Sequence, residues 1–332
     1  MNHRLSCLIK LPHEVHVRSY SGDGILVDNS NCKGQRGLLL NPFASQDSWW
    51  LDAEPIFNPI DDITFPFSLE STPADPTLSF TEYNELFNKA QQAIIQGQFE
   101  KLVLSRIIYH PRQNDVLQSF KTLCSTYPRA TVYLLNSSVF GVWIGATPEV
   151  LMSGNRSEQF CHALAGTRWK NEEMPWGEKE LREQRLVAEY IESVIQSSSI
   201  KFAKSALEST SQGHLQHLLT TYVTHASLDE ALALAFSLHP TPAVSGLPKQ
   251  RSVDWLLNHE SHNRELYTGI IGIVDSDFLH LNVNLRCAKL LESAVKCYVG
   301  GGVTSESICE TEFQETEQKS MVIAAAFRRE RH

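Results

Sequence analysis

The chain has 332 residues, 42% of them hydrophobic and 20% charged, which is ordinary globular usage and excludes a disordered chain or a fibre. That length predicts one large domain or two small ones, with a core that needs no covalent staples. Lys and Arg number 29 against 38 Asp and Glu, a net charge of −9 with no long basic run, which argues against a nucleic-acid binder and an anionic membrane surface.

The N-terminal MNHRLSCLIKLPHE carries too short an apolar stretch for a signal peptide, and no run of 18 apolar residues follows it, so no membrane span is expected. Cysteines at 7, 32, 124, 161, 287, 297 and 309 are odd in number and scattered, with no C-x-x-C. They predict buried free thiols in a cytoplasmic protein rather than a disulfide framework or a zinc site. Residues 1–77 hold short strand-like runs, among them GLLL at 37–40, and the adjacent Trp49 and Trp50. The stretch LESTPADPTLS, 69–79, has Pro73 and Pro76 and no periodicity, and reads as a linker.

A helix is expected to start after the linker. Ser79 and Glu82 have capping-box spacing, Leu78 and Tyr83 fit a hydrophobic staple, and Tyr83, Leu86, Phe87, Ala90, Ile94 and Ile95 form a 3.6-residue stripe ending at Gly97. KLVLSRIIY, 101–109, reads as a strand with Lys101, Val103, Ser105 and Ile107 on one face. Further strands are predicted at 131–144, 159–165, 279–290 and 294–299, and further helices at 179–196 and 310–327; 199–236 mixes both patterns. In 279–290, Leu279, Leu281, Val283 and Leu285 alternate with His280, Asn282, Asn284 and Arg286, giving one apolar and one polar face. The sum is an α+β layered domain.

Several residue types on these elements have chemical uses. Glu183 lies one turn before Val187 on a core-facing stripe, and Glu312, Glu315 and Lys319 follow at +3 and +4 spacing. Carboxylates there are costly unless paired or bound to a hard cation such as Mg²⁺; the alternative is helix-end charge in solvent. Arg286 on a polar strand face suits bidentate capture of a carboxylate, or else an internal salt bridge. The run YVGGGV, 298–303, ends a strand with glycines that let backbone N–H groups approach an anion, or that make a plain turn; ALAGT, 163–167, is a similar strand end. Lys101 in a dry site could serve as a base or be a surface lysine. Glu149, in GATPE, is an acid if its surroundings are apolar enough. His239, in HPTP at 239–242, is as readily structural as catalytic.

Their order along the chain is more telling. FEKLVLSR (99–106), GATPEVLM (145–152), ALAGTR (163–168), ELREQRLV (180–187), LHPTPAVSGLP (238–248), RELYTGIIG (264–272), NLRCAKL (284–290), VGGGV (299–303) and ETEFQETEQK (310–319) resemble, in this order, the motifs of the chorismate-utilising enzymes. The resemblance covers about 78–328, leaving 1–77 as a variable N-terminal part packed on the same domain. It implies an α+β chorismate-binding fold of large antiparallel sheets layered with helices, around a Mg²⁺-dependent site. It further implies metal-ligand roles for Glu183 and Glu315, with Glu312 beside them. Arg286 and Tyr267 would hold the enolpyruvyl carboxylate, and Gly166 and Thr167 the ring carboxylate. Gly302 and Lys319 would make further substrate contacts. Lys101 would be the general base and Glu149 the general acid, with His239 a third catalytic candidate. Gln184 departs from the family, which usually has histidine after the metal glutamate.

Within the family, Ala165 stands where aminodeoxychorismate synthases have a lysine nucleophile, so that activity is not expected. Lys101 and the preceding QGQFE fit the water-using branch rather than the ammonia-using anthranilate synthases. The motifs look most like isochorismate synthase, with chorismate as the small-molecule substrate, no glutaminase subunit and a monomeric chain. Tyr267 and Leu285 also occur in the salicylate synthases, so that activity stays open, as do anthranilate synthase component I and a chorismate-binding protein without catalysis.

Overall fold

The computed structural model describes residues 3–71, 77–169, 175–212 and 215–328. Pro73 and Pro76 of the predicted linker lie outside these residues. In chain order the strands are β1 His3–Lys10, β2 His16–Asp28, β3 Gly37–Asn41, β4 Asp47–Leu51, β5 Ile56–Pro59, β6 Lys101–Pro111, β7 Thr131–Ser137, β8 Gly141–Thr147, β9 Val150–Asn155 and β10 Gln159–Trp169. They continue as β11 Phe202–Lys204, β12 Glu208–Gln212, β13 Leu215–Thr224, β14 Gly246–Leu247, β15 Ile270–Val274, β16 Phe278–Val283, β17 Cys287–Leu290 and β18 Ala294–Val303. The helices are α1 Phe80–Ile95, α2 Val116–Thr126, α3 Glu178–Ser197, α4 Leu228–Leu238, α5 Lys249–His259 and α6 Cys309–Ala324.

The strands form two antiparallel sheets. Sheet A runs β5–β2–β1–β7–β8–β17–β18–β6–β14. Sheet B runs from β11 and β12 through β13–β10–β9–β16–β15–β3–β4 to the far end of β2. β2 belongs to both, so residues 3–71 are woven into the same sheets as the rest of the chain.

The core lies in layers. Leu5, Ile9, Leu38, Leu40, Tyr133, Trp143, Ile271 and Tyr298 pack between the sheets. Outside sheet A, Phe120, Leu123, Ile323 and Phe327 of the α2 and α6 region meet Val132, Ile144 and Val295. Outside sheet B, Val187, Ile191, Leu232 and Ala235 of α3 and α4 cover Met152, Cys161 and Leu281. A further cluster joins α1 and α5 to β6 through Tyr83, Phe87, Leu102, Leu104 and Leu256. The two sheets thus bury their inner faces against each other and their outer faces under helices.

Local chemistry explains the element starts. Ser79 accepts from the Glu82 N–H while the Glu82 carboxylate accepts from the Ser79 N–H, so α1 begins on a complete capping box; Ser227 and Glu230 repeat it at α4. Gly97 ends the α1 turn at φ 74°, which glycine adopts without a Cβ penalty. All seven cysteines are buried free thiols. Among the described residues no helix is long and apolar enough to cross a membrane.

Three sequence expectations change. The run 131–144 is two strands, β7 and β8, joined at Gly141 with φ 75°. The run 279–290 is also two strands: β16 lies in sheet B and β17 in sheet A, and Asn284–Arg286 carries the chain between them. The glycines of VGGGV do not make a turn past the strand, because they sit inside β18, paired as Gly300 with Ser105, Gly301 with Leu104 and Gly302 with Val103.

Candidate active site at the sheet crossing

Two chain segments cross from one sheet to the other side by side. Residues 147–149 lead from β8 to β9, and residues 284–286 from β16 to β17. They are bonded to each other: Val283 N–H donates to Glu149 O (3.0 Å), Ala146 N–H to Arg286 O (3.0 Å) and the Thr147 hydroxyl to Val283 O (2.6 Å). This fixes Glu149 and Arg286 as neighbours, with Arg286 at φ 48°. Burial raises the Glu149 carboxyl above the usual carboxylate range, and the charges of Arg286 and Lys101 pull it back in part. Burial likewise lowers the Arg286 guanidinium, which the charge of Glu149 partly offsets. His217 of β13 is lowered by burial and by the Arg286 charge.

Lys101 opens β6, and its ammonium donates to Glu183 Oε1 at 2.9 Å. Glu183 reaches it because α3 lies close on sheet B at a bulge in β10. The register slips between Ala165 and Thr167, Gly166 turns at φ 70°, and a Cβ there would sit 2.9 Å from Glu180 O in the first turn of α3. Gln184, next to Glu183, is buried and donates to the Thr220 hydroxyl at 2.8 Å. It therefore anchors α3 to β13.

The triple glycine makes room. A Cβ at Gly302 would meet Lys101 Cε at 2.7 Å, and one at Gly300 would meet the Tyr267 hydroxyl at 2.9 Å. Strand alternation turns Gly301 the other way, where Glu312 Oε2 would be 3.0 Å from its Cβ. Lys101 and Tyr267 thus share one face of β18, and Glu312 approaches the other. Glu312 also adds its charge to Tyr83 on that side. On β18, β17 pairs only with Val295–Tyr298, so among the described residues no strand continues along that edge over Val299–Val303. Lys319 of α6 reaches this edge, donating to Gly300 O at 2.9 Å and to Glu315 at 2.6 Å.

Tyr267 is 4% exposed and stacks on Tyr298, which stacks on Trp143. Its turn is pinned by Arg264, whose five donors are all used. Arg264 bonds both oxygens of Glu260 (2.8 and 2.6 Å), Val244 O (2.8 Å), Val103 O (2.7 Å) and the Thr268 hydroxyl (3.3 Å). Glu260 Oε1 in turn accepts from the N–H and hydroxyl of Ser105. The fully desolvated pair therefore stands in for a strand along the open side of β6 and ties it to the Tyr267 turn.

The structure thus gathers Lys101, Glu149, Glu183 and Arg286 within one electrostatic neighbourhood, with Gly302 and Tyr267 along β18 and Gly166 and Thr167 on the β10 bulge. Glu315 and Lys319 stand at the rim, where their side chains are 49% and 43% exposed. It does not bring His239 into this group. His239 is buried at the end of α4 with no partner on either ring nitrogen. It borders a separate cleft of about 750 Å³ among Asn29, Lys33, Asn41, Asp229 and Lys249. Burial, and the nearby Lys249 charge, lower its pKa to about 3, so its imidazole is neutral.

Sequence reasoning missed His217, Arg264, Glu260 and Asn284. His217 lies in 199–236, where no clear period emerged; its pairing opposite Thr167 across the bulge is a tertiary fact. Arg264 was within reach, since it opens the RELY motif, but its five acceptors come from four separate segments.

Glu183, Glu315 and Glu312 supply only carboxylate oxygens, the donor type a hard divalent cation takes together with water. Lys101 and Lys319 now neutralise two of them, so the set already holds positive charge. By donor chemistry these residues fit Mg²⁺, although among the described residues no three His, Cys, Asp or Glu side chains converge on one point.

Known proteins are similar to this chain. Isochorismate synthase EntC of Escherichia coli strain K12 is 29% identical over 262 residues, covering 74% of this chain and 67% of that enzyme. The curated relatives it matches are longer, the chain spanning half to two thirds of their length. The structure of MenF, the menaquinone-specific isochorismate synthase of Escherichia coli, superposes with a TM-score of 0.81 at 20% identity, over 98% of this chain and 89% of that one. Anthranilate synthase component I of Streptococcus pneumoniae TIGR4 gives 0.69 at 17% identity, over 98% and 92%. These two show the fold and are alike in it despite their different reactions. The "Chorismate binding enzyme" family matches residues 66–328, every motif and every gathered side chain described above, and the chain belongs to that family.

Proposed function

We propose that this chain is an isochorismate synthase, which converts chorismate to isochorismate with Mg²⁺ and needs no glutaminase subunit. The observation that carries the reading is the placing of Lys101, at the start of β6 against the bare backbone of Gly302, within reach of the charge of the buried Glu149 in the 147–149 crossing. A reaction that adds water at one ring carbon and expels hydroxide from another needs a base and an acid on either side of the ring. Likeness to EntC supports the choice.

In this reading Arg286 and Tyr267 hold the enolpyruvyl carboxylate, and the backbone at Gly166 and Thr167 receives the ring carboxylate. Gly302 leaves Lys101 space to reach the ring, and Lys319 contacts substrate from the rim. Lys101, released from Glu183, takes a proton from water as the water oxygen bonds to C2. The two ring double bonds shift by one position, the C4–oxygen bond breaks, and Glu149 gives its proton to the departing hydroxyl, so that one water enters and one leaves. Raised by burial, Glu149 keeps that proton to a higher pH than a free carboxyl would. Glu183 and Glu315, with Glu312 beside them, would hold Mg²⁺, which supplies charge stabilisation at the ring carboxylate. Ala165 offers no nucleophile, so no covalent adduct forms on the chain.

The test is product analysis of purified protein incubated with chorismate and Mg²⁺, with and without EDTA. Isochorismate as the product, lost on chelation and restored by added Mg²⁺, is the expected result. Salicylate with pyruvate would move the chain to the salicylate synthases, and no turnover would leave a chorismate-binding protein.

A further inference from the structure

The two residues assigned to the enolpyruvyl carboxylate stand on segments that no sheet ladder holds. Tyr267 lies in the turn before β15, and Arg286 in the crossing between β16 and β17. Both segments contain left-handed backbone at a residue other than glycine: Thr268 at φ 59° and Arg286 at φ 48°. Such a conformation persists only where the surroundings over-determine it.

One residue ties the two segments together. The Asn284 N–H donates to Gly269 O at 2.8 Å, and its carbonyl accepts from the Thr268 N–H at 2.8 Å. Its side-chain Nδ2 donates to Leu266 O at 2.9 Å, and its Oδ1 accepts from the Tyr133 hydroxyl at 2.8 Å. All four polar atoms of Asn284 are engaged, three of them on the residues flanking Tyr267, and Asn284 itself is two residues from Arg286. The amide orientation is fixed by chemistry, because Leu266 O can only accept. Asn284 is 1% exposed and so presents almost no surface to a bound molecule. Tyr133 is held in turn by Gly145, where a Cβ would lie 2.4 Å from its ring.

We propose that Asn284 is a positioning residue that sets the spacing between Tyr267 and Arg286, and so governs affinity for a carboxylate substrate it never touches. The inference rests on the reading of those two residues as the carboxylate site. Of the nine resembling motifs only NLRCAKL contains this residue, and neither composition nor family likeness gives it a role.

Asn284→Asp keeps the size and replaces the donor facing Leu266 O with an acceptor. The expected result is a chorismate KM raised about tenfold, the scale of one lost buried hydrogen bond with a group left unpaired, and a kcat within about threefold of the original. A residue that only supported the fold would lower the amount of active enzyme and leave KM alone. Tyr133→Phe removes one hydroxyl from the far side of Asn284 and should raise KM about two- to fivefold. Should Asn284→Asp fail to fold, Tyr133→Phe decides. In an Arg286→Ala background the Asn284 substitution should raise KM by less than about twofold, since the spacing it sets no longer matters. An unchanged KM in Asn284→Asp, or in Tyr133→Phe where that one decides, overturns the inference while Arg286→Ala still raises KM. An unchanged KM in Arg286→Ala instead strikes the carboxylate reading beneath it.

Discussion

The sheet crossing and the wide cleft at the end of α4 make opposite uses of polar groups. The cleft is the roomier, about 750 Å³, and is lined with Asn, Ser, Lys, Asp and Glu, yet its charges are spent locally. Asp229 pairs with Arg36, Glu230 caps α4, Lys249 donates to Ser237 O and His239 O, and the buried His239 ring has no partner at all. At the crossing little space is evident, but glycines have been placed where side chains would block Lys101 and Tyr267, and charged groups from both sheets act on one another. In the proposed reading, volume does not mark the site; convergence of charge onto backbone stripped of side chains does.

The sharpest way to break that contrast is Lys101→Ala. Turnover should fall by about two to four orders of magnitude, the usual worth of a general base, while calorimetry still detects chorismate binding. A variant with most of its rate would remove the base from the crossing altogether. Arg286→Ala should raise the chorismate KM about ten- to a hundredfold, the cost of one charge-assisted interaction. Arg286→Lys should recover little of it, because an ammonium cannot reproduce the planar fork. Steady-state kinetics on both variants checks this.

Smaller effects sharpen the comparison. Gly302→Ala places a methyl group against the flexible end of Lys101 rather than against backbone, so the fold should survive and kcat should drop about tenfold; an unchanged kcat would mean that the glycine has no part in placing the lysine. His239 answers for the other region. Its folded pKa of about 3 lies below the free value of 6.5, so its contribution to stability is complete above pH 6.5 and is lost as the pH falls toward 3. Between pH 7 and pH 4.5 this loss amounts to about 2–3 kcal/mol, which denaturant melts would register and His239→Leu would flatten. The smallest effect belongs to Lys33→Ala in the cleft, which should leave kcat and KM within about twofold.

Much of this was legible in the sequence, and the limits have physical causes. The α1 capping box and the strand from Lys101 are local patterns, and they stand in the structure as read; of the polar stripe ending at Arg286 only the part to Val283 is one strand. The stripe's break at Asn284–Arg286 was not readable, because alternation continues unbroken through the residues that change sheets. The glycine triplet was recognisable as special but its reason was not: it serves side chains from β6, the Tyr267 turn and α6, which only the fold brings near. His239, as readily structural as catalytic in its HPTP setting, is buried at the end of α4 with no partner on either ring nitrogen, which only the packing reveals.

The first strands of the chain carry a consequence for how the molecule is made. β1 lies between β2 and β7, with Leu5 opposite Ser137, and β3 lies against β15, with Asn41 opposite Ile270. Strands that leave the ribosome early must wait for partners synthesised much later, and pairing across such sequence distances is slow. Until then β1 and β3 present open hydrogen-bonding edges rich in leucine, the kind of surface that seeds association between chains. The segment least involved in the chemistry is therefore the one on which assembly of both sheets depends, and the yield of folded protein should be more sensitive to it than activity is.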